Sequence, residues 1–91
     1  MEVVWDKRKA ALNLAKHGIE FSHAATALDD PRAITIEDAR YEDLRFVSVG
    51  VDLMGRVLTL VYSYPDSGGI RLISARKATP NERKQYEDEG I

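Results

Sequence analysis

The sequence predicts an α+β fold: a mainly antiparallel sheet of four to five strands, helices packed on one side, in the order β-α-α-β-β-β-β-α. Three observations carry that prediction. Two capped helical segments precede Pro31, four β-rich runs separated by short turns follow it, and the capping box Thr79-Pro80-Asn81-Glu82 opens a last helix.

Glu2-Val3-Val4-Trp5 is β-branched and aromatic, which suits a first strand, and Asp6 is a good helix N-cap. Ala10, Ala11, Leu14 and Ala15 recur at helical spacing. The segment closes on Lys16-His17-Gly18, with cations in the last turn and glycine at the usual left-handed position. Ser22 is placed to cap a second, short helix through Ala24, Ala25 and Leu28, and Asp29-Asp30-Pro31 stops it, because the residue before proline is pushed out of helical geometry.

Strands are expected at Ala33–Ile36, Leu44–Asp52, Arg56–Tyr64 and Gly69–Ala75, with turns at Leu53-Met54-Gly55 and Pro65-Asp66-Ser67-Gly68. Turns this short imply antiparallel pairing. In the last strand, strict alternation puts Ile70, Leu72 and Ser74 on one face and Arg71, Ile73 and Ala75 on the other. At Thr79-Pro80-Asn81-Glu82 the Thr hydroxyl and Glu carboxylate can each meet an otherwise orphaned N–H, and proline suits the first helical position. The helix then runs towards Asp88.

Ninety-one residues fit one domain, 1–91, burying about 60 to 65% of the surface of the unfolded chain. With 44% hydrophobic and 31% charged residues, the chain has the composition of a folded protein. The absence of cysteine removes disulfides and thiolate zinc sites and points to a reducing, cytoplasmic location. No apolar run reaches the roughly 18 residues of a membrane span, and no hydrophobic signal region follows Met1.

A net charge of −2 counts against a general polyanion binder, but the charge is divided along the chain. Residues 29–43 hold six acids against two bases, whereas residues 44–79 hold five bases (Arg45, Arg56, Arg71, Arg76, Lys77) against two acids. Lys7, Arg8 and Lys9 stand in the first turn of their helix, where the dipole disfavours them, which marks either a contact surface or a solvated face. Arg76 and Lys77 sit near the positive end of the last helix. They suit an anion held between guanidinium and free N–H groups, but Arg76 can equally pair with Glu82.

His17 can be a general acid or base, or a plain helix C-cap; His23 has nothing beside it favouring a ligand role. Trp5, Phe21, Phe46, Tyr62 and Tyr64 read as core and sheet packing. The chain contains no glycine-rich phosphate loop, nucleophile elbow, paired metal-binding histidines or dinucleotide fingerprint. A helix-turn-helix recognition pattern is also missing.

Several ordered motifs resemble the BrnT family of bacterial toxins. They are Trp5-Asp6 with Lys9, Asn13-Leu14-Ala15-Lys16-His17-Gly18, Phe21 before Ala24-Ala25, and Asp30-Pro31. The second half adds Asp43-Leu44-Arg45-Phe46 before Gly50, Gly55-Arg56-Val57-Leu58 with Val61, and Ile70 to Thr79 followed by Glu82-Arg83 and Tyr86. The resemblance implies a fold similar to RelE-type toxins and a ribonuclease that halts translation. It also implies a neighbouring antitoxin that holds the toxin inactive, typically with a ribbon-helix-helix portion, in a hetero-oligomeric complex. Family members often carry histidine and glutamate just before the third-strand arginine, where this chain has Tyr41 and Asp43.

Metal-free RNA cleavage needs a base for the 2′-hydroxyl, cations for the crowded phosphorane, and an acid for the leaving oxygen. The expected catalytic set is Arg45, Arg71 and Arg76 on the phosphate, Lys77 assisting, and His17 in proton transfer. Lys16, Tyr86 and Arg56 are expected at the substrate, with Lys16 or Tyr86 as the other proton-transfer group. No metal or cofactor is expected. The rival reading is a non-catalytic module that binds an antitoxin and acts as corepressor.

Overall fold

The computed structural model describes residues 2–39 and 44–89. Its elements are β1 (Val3–Val4), α1 (Lys7–His17), α2 (Phe21–Ala24), a 3-10 turn (Ala25–Asp29), β2 (Ile34–Asp38), β3 (Arg45–Val51), β4 (Val57–Ser63), β5 (Ile70–Lys77) and α3 (Pro80–Glu89). They form one sheet in the order β1-β5-β4-β3-β2. The three pairs from β2 to β5 are antiparallel, as their short turns require. β1 instead adds parallel to β5, so the sheet is mixed; α1 carries the chain away from that edge before it returns at β2.

Asp6 caps α1, its carboxylate accepting from the N–H groups of Arg8 (2.7 Å) and Lys9 (3.2 Å). Gly18, at φ 71°, ends it and donates to the Leu14 carbonyl at 2.8 Å. The stripe that α1 turns inwards is Ala10, Asn13 and His17, while Leu14 stays 44% exposed. The second helix starts two residues earlier than expected, at Phe21 after an extended Glu20, so Ser22 lies inside it instead of capping it. It tightens to 3-10 geometry where the Thr26 hydroxyl donates to the His23 carbonyl at 2.6 Å.

Leu58, Leu60 and Tyr62 of β4 and Ile70, Leu72 and Ala75 of β5 pack on Ile19, Phe21, Ala24 and Ala27 to make the core. Ala75 thus shares a face with Ile70 and Leu72, against strict alternation. The reason is a bulge: Val61 pairs with Ser74 but Tyr62 pairs with Leu72, leaving Ile73 as the extra residue and shifting every later side chain by one.

The helices do not all lie on one side. Thr59 alternates with the core residues Leu58 and Leu60, and its hydroxyl donates to Glu82 of α3 at 2.9 Å, so α3 covers the opposite face. The 3-10 turn packs so closely on β3 that a Cβ at Gly50 would lie 2.8 Å from the Ala27 carbonyl oxygen.

Candidate functional site

The strand-to-helix junction expected to cradle a phosphate already holds an anion, the side chain of Glu82. Its carboxylate accepts from both terminal nitrogens of Arg76 (2.7 and 2.9 Å), the Thr79 N–H (2.8 Å) and the Thr59 hydroxyl (2.9 Å). The capping box is therefore complete, with the Glu82 N–H returning a bond to the Thr79 hydroxyl at 3.2 Å. The Arg76 hydrogen bonds, outweighing the cost of burial and helped by Thr79 and Thr59, hold Glu82 at about 2 against an ordinary 4.5. The same bonds raise Arg76, against its own burial.

Two further expected substrate ligands are engaged in the same way. Arg56 gives Nε (3.0 Å) and Nη2 (2.8 Å) to the buried Asp52 carboxylate, which also ties the β3–β4 turn through the Met54 and Arg56 N–H groups. Burial raises Asp52, but these bonds outweigh it and the group stays below its usual range. The Tyr86 hydroxyl donates to Asp30 at 2.5 Å, clamping α3 to the end of the 3-10 turn; this bond, with burial, raises the tyrosine. Arg76, Arg56 and Tyr86 thus hold the fold together.

The remaining expected residues fall at two ends of β5. Asn13 reaches Ala75, so Lys16 and half-buried His17, one turn further along α1, stand with exposed Lys77 at the C-terminal end of the strand. Arg71 lies six residues before Lys77, on the order of 18 Å away along the strand. His17 and Arg71 are therefore not neighbours.

At the Arg71 end the pairing register aligns Asp38, Arg45, Ser63, Arg71 and Val4 in one row across all five strands. Directly paired side chains share a face, so Arg45 and Arg71 flank Ser63 on the same face, Cα atoms about 10 Å apart. Arg71 is exposed, and its side chain makes no hydrogen bond or ion pair among the described residues. It is shared by two clefts. One, of about 390 Å³, is lined also by Trp5, Asp6 and Lys9; the other, of about 500 Å³, runs past Phe46, Tyr64 and Asp66.

Lys9 and Tyr64 escaped the sequence-based set of site residues. The dipole conflict at Lys7-Arg8-Lys9 was the available sign for the first. Tyr64 reads as packing, yet it is 51% exposed while Tyr62 is buried, because Tyr64 lies just beyond the end of β4. Tyr41 and Asp43 lie outside the described residues. Among those residues, no group of three His, Asp or Glu side chains is placed to hold a metal, and no helix is long and apolar enough to cross a membrane.

The family model described as the ribonuclease toxin BrnT of type II toxin-antitoxin systems matches residues 5–82. No curated protein matches the chain. Among solved structures, the 1.1 Å crystal structure of the Brucella abortus ribonuclease toxin BrnT is similar, at 25% identity and a TM-score of 0.64, over 87% of this chain and 97% of that one. The mixed five-stranded sheet, the match over residues 5–82 and the Brucella likeness agree: the chain belongs to the BrnT family of type II toxin-antitoxin ribonuclease toxins, which act with an antitoxin partner.

Proposed function

We propose that the chain cleaves RNA without a metal at the Arg45–Ser63–Arg71 row, and that translation stops as a result. The observation that carries this reading is the placement of two arginines on one face, with Arg71 open to solvent and Lys9 across the adjoining cleft. Attack of a 2′-hydroxyl on the neighbouring phosphorus builds a pentacoordinate phosphorane carrying extra negative charge. Two guanidinium groups carried on the same face of the sheet, one on each side of Ser63, stabilise that charge. Water in the open cleft takes the proton that the 2′-hydroxyl gives up, and Lys9 hands a proton to the leaving 5′-oxygen. The products are a 2′,3′-cyclic phosphate and a 5′-hydroxyl end.

His17, Lys16 and Lys77, at the far end of β5, contact flanking RNA and take no part in bond breaking. The antitoxin is of the ribbon-helix-helix type, and both proteins act in the cytoplasm. Charge division supports this assembly: the basic half from residue 44 to 79 suits RNA or an acidic partner segment.

The test compares variants on a defined RNA and in growing bacteria, with and without the neighbouring gene. Arg71→Ala and Arg45→Ala should each cut the cleavage rate by about 10² to 10³ and relieve growth arrest. His17→Ala and Lys77→Ala should stay within a few-fold of the parent, and excess chelator should leave cleavage intact. Full activity in Arg71→Ala would overturn the assignment. An inert parent chain that still binds its antitoxin and promoter would favour the corepressor reading.

A further inference from the structure

The second cleft beside Arg71 has a make-up that a phosphate grip alone does not need. Its volume, about 500 Å³, falls within the roughly 300–1,000 Å³ of sites that enclose small organic ligands. Its walls are Leu44 and Phe46 at the start of β3 and Tyr64-Pro65 just past the end of β4. Phe46 and Tyr64 meet edge to face with ring centroids 5.0 Å apart, and Tyr62 braces Tyr64 from behind at 5.9 Å. Leu44 and Tyr64 nevertheless remain 49% and 51% exposed, so they offer apolar and π surface to whatever enters. Each base has a π face, and aromatic stacking is the usual way a protein holds one outside a helix.

Two polar groups, Asp66 and Ser67 of the β4–β5 turn, line the same cleft. The Asp66 carboxylate accepts hydrogen bonds and does not donate them. It therefore meets an exocyclic amine favourably and gains less from uracil, which has no amine and whose one ring N–H lies between two carbonyl oxygens. Arg71 lines this cleft as well as standing in the arginine row, so an occupant here is joined to the phosphate held on that row.

We infer that this cleft is the base-recognition subsite of the toxin: an unstacked, amino-bearing nucleobase (cytosine, adenine or guanine) stacks on Tyr64 between Phe46, Leu44 and Pro65, and Asp66 reads its amino edge. The inference rests on the proposed cleavage at the arginine row and adds which nucleotide is chosen there. Tyr64 and Asp66 act on choice and affinity; Arg45 and Arg71 act on the phosphate.

Two measurements test it. The first maps cut sites on an RNA pool for the parent, Tyr64→Ala, Asp66→Asn and Arg71→Ala. The parent should prefer amino-bearing bases over uracil at one position beside the cut. Asp66→Asn, whose amide can also donate, should reduce that preference about tenfold, and Tyr64→Ala should weaken cleavage at all preferred sites about tenfold. The second measures binding of CMP, AMP, GMP and UMP to the purified chain by NMR. The first three should bind about tenfold more tightly than UMP and shift the amides of Tyr64 and Ser67, with Asp66→Asn closing the gap. Arg71-dependent cleavage with an unchanged base profile in both cleft variants overturns the base subsite and leaves the arginine row standing. Selective nucleotide binding at Tyr64 by a chain that does not cleave upholds the subsite and overturns the cleavage. Equal, Asp66-independent binding of all four nucleotides overturns the subsite.

Discussion

Glu82 takes both terminal guanidinium nitrogens of Arg76, at 2.7 and 2.9 Å, across the junction between β5 and α3. Its depressed titration, at about 2, couples this contact to pH. A carboxyl whose folded value lies below its ordinary 4.5 adds stability above that range and loses it as pH falls towards 2. The urea midpoint should be flat from pH 7 to about 5.5 and decline below that. In Glu82→Gln the decline between pH 5 and 3 should be shallower; Asp30 and Asp52, also held below their usual range, account for what remains. Identical slopes in parent and variant would show that the contact contributes nothing.

Arg76→Ala separates a structural arginine from a catalytic one. Its loss leaves Glu82 with the Thr79 and Thr59 donors alone and loosens α3, which otherwise buries only Tyr86. The expected cost is about 2 kcal/mol, or roughly 10 °C in Tm. Cleavage at a temperature where the variant is folded should stay within a few-fold of the parent. A loss of 10² or more without a fall in Tm would return Arg76 to the catalytic set.

What could be read from the chain follows how local each feature is. The Asp6 cap, the Gly18 stop and the Thr79–Glu82 box depend on residues within one turn of each other, and all three form as their spacing implies. The bulge at Ile73 depends on how β5 pairs with β4, and so the change of face between Leu72 and Ala75 was invisible in an alternating string. The Arg45–Ser63–Arg71 row depends on two registers at once. Arg76 and Glu82 are six residues apart, near enough for their pairing to be foreseen as one of two outcomes. Nothing local marks Tyr64 as exposed while Tyr62 is buried, since only the length of β4 decides it.

Gly50 answers to contact and not to backbone freedom. A methyl group there would press on the Ala27 carbonyl oxygen at 2.8 Å and the Ala33 side chain at 3.2 Å, and the first neighbour is backbone. Asp30 pins that region, its carboxylate accepting from the Val51 N–H at 2.9 Å. Gly50→Ala should therefore cost about 2 kcal/mol by overpacking, measured by urea unfolding. An unchanged midpoint would mean that the 3-10 turn yields freely.

Asn13 should be the most sensitive position on α1, although Leu14 looks the more important residue in the sequence. Among the described residues, the outer edge of β5 has no strand partner beyond the two residues of β1, and the Asn13 amide takes over that role at Ala75. Its Nδ2 donates to the Ala75 carbonyl (2.8 Å) and the Ile19 carbonyl (3.0 Å), while its Oδ1 accepts from the Ala75 N–H (3.1 Å). The side chain is buried, so no water replaces these bonds if it is cut away. Asn13→Ala orphans three backbone groups and should cost about 3 kcal/mol, on the order of 15 °C in Tm. Leu14→Ala, at a half-exposed site, should cost less than 1 kcal/mol. Asn13→Asp keeps the shape but replaces the donor with a carboxylate facing two carbonyl oxygens, and only its protonated form can donate to either. Its deficit relative to the parent should therefore shrink from pH 7 to pH 4.5. A constant deficit across that range, or an Asn13→Ala loss no larger than that of Leu14→Ala, would remove Asn13 from the edge of the sheet as a bonding group.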